Sequence, residues 1–339
     1  MKKLFTAALS LVMSLSLLAA CSSSPAQSGG TSGSAMSVGE TKTFKVAIVQ
    51  QMDHASLDEI RSAIEEELTA RSYQEGSQYV FQFDSFSGQN DATVLNQIGA
   101  QVVGDGVDLI IPIATLAAQC MVTAADGTDI PIVYAAISDP EAAGLTGLSN
   151  VTGTSDALNT AFILDMMLAA NPDIKTVGLL YSNSEANSTT PIAEAKAYLK
   201  EKKIDIVEKT GNTSGEIVEA VSSMVGRVDA VFTPTDNTVM ATEVTVAEIL
   251  NEAGIPHYTG ADSFVAAGAF ATCGVNYTEL GTYTADMAMD ILLGGAVPEY
   301  HVMDGGIITV NTETAATLGI DYSAFASMAN TVVEVKTGE

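Results

Sequence analysis

Val107-Asp108-Leu109-Ile110-Ile111-Pro112-Ile113-Ala114-Thr115 and Val228-Asp229-Ala230-Val231-Phe232-Thr233-Pro234-Thr235-Asp236 are two copies of one pattern. Each has a Val-Asp start, an apolar run, a proline and a hydroxyl-bearing end. Two further pairs extend the repeat. Lys45–Gln50 (KVAIVQ) matches Thr176–Tyr181 (TVGLLY), and Ile130–Tyr134 (IPIVY) matches Ile255–Thr259 (IPHYT). The order is the same in both copies, and the offset stays between 121 and 131 residues. Each segment is a short apolar run of the kind that forms a parallel strand buried on both faces.

Helix patterns lie between these runs. Ser56 with Glu59 three residues later reads as a capping box. Leu57, Ile60, Ile64 and Leu68 then share one helical face. In the second copy Thr190-Pro191 reads as an N-cap and first helical position, with Ile192, Ala195 and Leu199 on the buried stripe. Thr278 to about Leu293 is a further amphipathic helix, and Gly305–Val310 reads as the last strand. Strand alternating with helix gives βαβ units and a parallel sheet, and two copies give two similar α/β lobes.

Composition bounds the function. The chain has 339 residues, with 14 Lys+Arg against 41 Asp+Glu, a formal net charge of −27. This balance argues against a nucleic-acid partner, whose phosphates need clustered Lys and Arg. Apolar residues make up 47% and charged residues 16%, enough to build a core. Three Cys and the absence of any CxxC or HxxxH spacing exclude a disulfide framework and a zinc motif. No cofactor or metal is expected.

The start of the chain is a targeting segment. Met1-Lys2-Lys3 is basic, Leu4–Ala20 is apolar and uncharged, and Cys21 follows. This is the layout of a secretory signal peptide over residues 1–20. Leu18-Ala19-Ala20-Cys21 resembles the bacterial lipobox, which implies that Cys21 becomes a lipidated N-terminus outside the cytoplasmic membrane. The competing reading, a spanning anchor, requires a stretch at the short limit for a bilayer. Residues 21–43, rich in Ser, Gly, Ala and Thr, read as a flexible tether. The folded body then divides into residues 44–154 plus 273–300 for one lobe and 155–272 plus 301–339 for the other.

Ligands of open parallel sheets bind beyond the carboxyl ends of the strands. The loops there carry Gln51 and His54, Thr115, Ser138 and Asp139 in the first copy. The second copy supplies Tyr181, Ser184, Glu185, Asn187, Thr235, Asp236, Asn237 and Asp262, with Tyr277 after the second crossover. Asp139, Asp236 and Asp262 have two readings: helix caps, or counter-ions for a ligand ammonium group. Ser138, Thr115 and Thr235, with N–H groups at helix starts, suit a carboxylate. Tyr134, Tyr181 and Tyr277 could form an aromatic wall or simply pack.

An enzymatic reading is weak. There is no GxSxG elbow and no GxxxxGK[ST], and Gly104-Asp105-Gly106 precedes a strand and lacks the third glycine of a dinucleotide loop. His257 sits in an apolar strand as a core residue, and His301 lies near the surface. Cys120 and Cys273 read as buried, inert thiols. A lipid-anchored hydrolase would have to rest on His54.

Several loops carry a resemblance. Ile113-Ala114-Thr115, Ala136–Pro140 with Ala143-Gly144-Leu145, Val151–Ser155, Tyr181–Ser188, Pro234–Val239 and Tyr277–Gly281 resemble the ABC-transporter substrate-binding lipoproteins of the tryptophan/tyrosine type. The similarity runs from about 44 to 310 with the motifs in order. It implies a type I periplasmic-binding-protein fold: two Rossmann-like lobes, a ligand cleft between them and three crossover strands. These are placed near 152–156, 271–276 and 302–305. It also implies an extracytoplasmic, monomeric, membrane-tethered protein that closes on a small solute, of which aromatic amino acids are the leading class. An ABC permease and its ATPase would then receive the solute. A sensing module on the same fold, or a nucleoside or vitamin as ligand, are the alternatives. Met52-Asp53-His54-Ala55 replaces the usual Glu-His-Pro pattern, Leu116 replaces a Pro, and Cys273 stands where Tyr or another residue is expected.

Overall fold

The computed structural model describes residues 41–73 and 79–338. The signal segment, Cys21 and all but the last few tether residues lie outside the described residues. From its first strand the chain runs β1 (Lys42–Gln50), α1 (Ala55–Ser72), β2 (Tyr79–Ser87), α2 (Ala92–Gly104), β3 (Leu109–Ile113), α3 (Thr115–Ala124), β4 (Ile132–Tyr134) and β5 (Val151–Ser155). It continues with α4 (Thr160–Ala170), β6 (Thr176–Tyr181), α5 (Thr189–Lys202), β7 (Asp205–Thr210), α6 (Ser214–Ser222), β8 (Ala230–Thr233), α7 (Asn237–Met240), α8 (Glu243–Glu252), β9 (His257–Thr259), α9 (Asp262–Ala266) and β10 (Ala271–Val275). It ends with α10 (Tyr277–Leu292), β11 (His301–Val302), β12 (Gly305–Asn311), α11 (Thr312–Leu318) and β13 (Thr331–Val335). Among the described residues no helix is long and apolar enough to cross a membrane.

The strands make two sheets. One is parallel throughout, in the order β11-β5-β4-β3-β1-β2. The other runs β13-β12-β10-β9-β8-β6-β7 and is parallel except where β10 meets β12. The three repeated segment pairs are β1 with β6, β3 with β8, and β4 with β9. Their apolar composition follows from their position: Leu109–Ile113 is buried at every residue because helices cover both faces. In the second sheet Tyr258 and Phe270 meet edge to face with ring centroids 5.3 Å apart.

The chain passes between the sheets three times. It leaves the first after β5, returns from β10 into α10, which packs on α1, and crosses again from β11 to β12. Two glycines make close approaches that this path needs. A Cβ at Gly153 in β5 would lie 2.0 Å from the Tyr134 carbonyl oxygen, and one at Gly281 in α10 would lie 2.7 Å from the Ile60 carbonyl oxygen of α1.

Four local expectations need correction. The body starts at Lys42, so the strand takes in the last tether residues. The capping box at Ser56 is not formed: α1 begins at Ala55 behind His54, and the Ser56 hydroxyl bonds Asp262 instead. Helix α5 begins at Thr189, which puts Pro191 inside the first turn and frees the Thr190 hydroxyl to donate to Asp139. Gly305–Asn311 is not the last strand, because β13 adds parallel to it at the sheet edge. The edge strands β2 and β7 escaped the sequence reading for a related reason. They alternate with Gln82, Asp84, Glu208 and Lys209 rather than forming apolar runs.

Candidate ligand-binding cleft

The carboxyl ends of the two sheets face each other across a cleft, and five hydrogen bonds span it. Gln51 donates to Glu185 at 2.9 Å, Asn90 to Thr238 at 3.3 Å, Thr190 to Asp139 at 2.6 Å and Ser56 to Asp262 at 3.0 Å. The hydroxyls of Ser138 and Thr235 lie 2.9 Å apart. Each bond joins a loop or helix start of one lobe to one of the other, so the cleft is shut.

Inside it lies a small pocket of about 30 Å³, so the lobes leave little free space where they meet. The first lobe contributes His54, Leu57, Thr115, Ser138 and Tyr277, and the second Asn187, Thr235, Asn237, Met240 and Phe264. Asp156, the residue just after β5, also lines it. Its carboxylate accepts from Ser138 at 3.0 Å and, at a longer 3.3 Å, from the Tyr277 hydroxyl. Burial pushes the Asp156 carboxyl above its ordinary range, since no cation offsets the lost hydration. The Tyr277 hydroxyl is pushed up too, by burial and then by the Asp156 charge.

Two atoms of the lining residues are buried without a partner in the protein: His54 Nδ1 and Asn187 Oδ1. Burial lowers the His54 pKa to about 4, against the raising effect of the neighbouring Asn237, so the ring is neutral at pH 7. The backbone above the cavity is strained. Ala114 has φ 75° and Ala136 φ 57°, both in the left-handed half of the map at the ends of β3 and β4. Such residues cost of order 1–3 kcal/mol each and gather where a site must be presented. Here they precede Thr115, the first residue of α3, and Ser138 by two.

The sequence candidates fall into two groups. His54, Thr115, Ser138, Asn187, Thr235, Asn237 and Tyr277 line the cavity. The other seven lie outside it. Gln51 and Glu185 form a buried bridge behind it. Asp139 accepts from Ala142 N–H and from Thr190. Asp236 is fully buried and caps α7: it accepts from Val239 N–H, Ser182 N–H and the Ser188 hydroxyl. Both its oxygens are engaged within its own lobe. Asp262 faces a separate groove, Ser184 bonds Ser182, and Tyr181 points to Glu208. Asp156, Ser56, Leu57, Met240 and Phe264 were not singled out from sequence. Asp156 had one available signal, its place at the first crossover.

The remaining candidates for chemistry are structural. His257 is fully buried, between Glu243 at 2.9 Å and Thr233 at 2.8 Å. His301 stacks on Tyr283. Cys120 and Cys273 are free and buried, and burial pushes the Cys273 thiol up to about 11.

Comparison with known proteins decides the class. The sequence profile of the ABC transporter substrate binding protein family matches residues 45–333. The chain belongs to this family. Substrate-binding proteins of this kind hold small solutes and are not enzymes. A tyrosine-binding protein of Clostridioides difficile (strain R20291) is 31% identical over 324 residues, covering 94% of this chain and 92% of that one. Among solved structures, an ABC domain from Streptococcus pneumonia in complex with L-Trp is 31% identical, with a TM-score of 0.79 over 86% of this chain and all of the other. The ligand-free, open structure of a substrate-binding protein with adhesive properties from Clostridium difficile is 33% identical, but its TM-score is 0.65 over 87% of this chain and 99% of that one. The chain is thus nearer in shape to the liganded relative than to the open one, as its five cross-cleft bonds require. The two-lobed α/β architecture is that of type I periplasmic binding proteins.

Proposed function

We propose that this substrate-binding protein captures an aromatic amino acid by closing its two lobes and hands it to an ABC permease and the permease's ATPase. The observation that carries the reading is the pocket between the lobes, lined by both, with the buried Asp156 carboxylate among its walls and no cation beside it. The lobes part to admit the ligand and close around it. A ligand ammonium group would supply the cation that Asp156 lacks. Thr115 and Ser138, with the start of α3, suit the ligand carboxylate. Leu57, Met240 and Phe264 offer apolar contact to a ring, and His54 and Asn187 offer polar contact at its edge. The tyrosine- and tryptophan-binding relatives support the ligand class.

Closure is driven by differential contact, because only the closed state touches the ligand from both lobes. We place the protein outside the cytoplasmic membrane, as a monomer tethered by lipid on Cys21, on the strength of the N-terminal sequence and the family. A thermal-shift screen of the twenty amino acids, nucleosides, vitamins and sugars tests the ligand. Binding to the folded state raises the melting temperature by mass action. A shift with tyrosine, tryptophan or phenylalanine is expected. A shift with another solute alone refutes the ligand assignment while leaving the class intact.

A further inference from the structure

Beyond Ser56 and Tyr277 a groove of about 390 Å³ runs along the seam between the lobes. Ser56 and Tyr277 line both spaces, so they form the partition. One end of the groove is acidic. Glu59 comes from α1 of the first lobe and Asp262 from α9 of the second. Each already accepts one hydroxyl, from Thr278 and Ser56 respectively. Their charges oppose each other: burial first, then the Glu59 charge, raises the Asp262 carboxyl above its ordinary range. Beside them the Ser263 hydroxyl is 5% exposed and has no partner among the described residues. The rest of the wall is largely apolar, with Val275, Ile307 and Val333. Among the described residues no Lys, Arg or His lines the groove.

We propose that this groove is a second ligand site, for a protonated amine that carries an apolar group and no carboxylate. The ammonium sits between Glu59 and Asp262 and meets the Ser263 hydroxyl, and the apolar part lies against Val275, Ile307 and Val333. Two carboxylates brought together by closure repel, and a cation between them turns that repulsion into attraction from both lobes. A ligand carboxylate is disfavoured because nothing in the groove can neutralise it. The groove also carries the hydroxyls of Thr272, Thr278, Thr309 and Thr331, but the paired carboxylates at its acidic end favour a cation there.

The test uses the full-length chain in detergent micelles and 2-phenylethylamine as the probe, followed by isothermal titration. Saturable binding is expected, and Glu59→Gln should weaken it by at least about tenfold, the loss of one charge-assisted contact. Ala266→Phe, which fills the groove from α9, should abolish it. Tyrosine binding to the cavity should be unchanged in Glu59→Gln. The proposal is overturned by absence of amine binding up to about 10 mM, weaker than any specific site of use. It is equally overturned by amine binding that both variants leave intact, since the amine is then in the main cavity. Neither outcome depends on whether tyrosine is the cavity ligand.

Discussion

Closing the cleft should consume a proton, and Glu185 is the group that takes it. Its carboxyl is 5% exposed and bridges the lobes, with Gln51 of the first lobe at 2.9 Å and Asn237 of its own at 3.0 Å. Among the described residues neither it nor the adjacent Asp236 forms an ion pair. Burial, then the Asp236 charge, raises the Glu185 pKa from 4.5 to about 7. His54, on the other side of Asn237, stays neutral and supplies no compensating charge. Opening removes Gln51 and admits water, which returns the carboxyl toward its ordinary value.

The sign follows from linkage. A carboxyl raised in the closed state favours closure fully below pH 4.5, and this support is lost as pH rises through about 7. If opening restored the whole shift, the dissociation constant would rise by about 70-fold between about pH 5 and about pH 8. Asp236 remains beside Glu185 in the open lobe, so about tenfold is expected. Asp156 works in the opposite direction, since a ligand ammonium lowers its pKa on binding and releases a proton. The informative quantity is therefore wild type against Glu185→Gln. Tyrosine affinity measured by calorimetry across this range, in two buffers of different ionisation enthalpy, should show proton uptake in wild type that Glu185→Gln lacks. Identical pH profiles for the two proteins would refute the reasoning.

Other outcomes follow from the same geometry. Asp156→Asn removes the buried counter-ion and should weaken amino-acid binding by about 2–5 kcal/mol, read by titration, with the far-ultraviolet circular dichroism unchanged. Thr190→Val deletes one cross-cleft bond. It should cost about 1 kcal/mol of closure, a roughly fivefold weaker affinity, and scattering should show a larger mean radius at limiting ligand. Gly281→Ala places a methyl against the Ile60 carbonyl of α1. Overpacking there should destabilise the fold by about 1–3 kcal/mol in urea melts, a result that no change in ligand binding could mimic.

The sequence read the fold's frame well because the central strands are apolar runs with a period that burial on both faces imposes. β1, β3 and β4, and their partners β6, β8 and β9, carry that signal. Edge strands carry little of it. β13 (TVVEV) has the β-branched composition of a strand, but its exposed Thr331, Val333 and Glu334 give it no buried face to read as alternation. The site was half legible for a different reason. Loops at strand ends announce themselves by position, which is how Thr115, Ser138, Asn187 and Thr235 were found. Which side chains turn inward depends on partners distant in sequence. Asp236 carried the same polar signal as Asp156, yet its lobe supplies two N–H groups and a hydroxyl that engage it, while Asp156 meets only two hydroxyls.

The capping signals show how function rewrites local rules. Ser56 with Glu59, and Thr190 before Pro191, are the residues a helix start prefers, and each helix forms without using them so. A cap of this kind is worth about 1 kcal/mol, and a hydroxyl bond to a carboxylate across the cleft is worth at least as much. The fold therefore forgoes little by moving Ser56 onto Asp262 and Thr190 onto Asp139. What changes is the state in which the energy appears. A cap stabilises open and closed forms equally, whereas a bond between lobes exists only when the cleft is shut. Spread over five weak contacts, that bias stays small enough for the lobes to part again, which a protein that must release its ligand requires. Reading such sites from sequence thus means looking for good caps that the helix does not need.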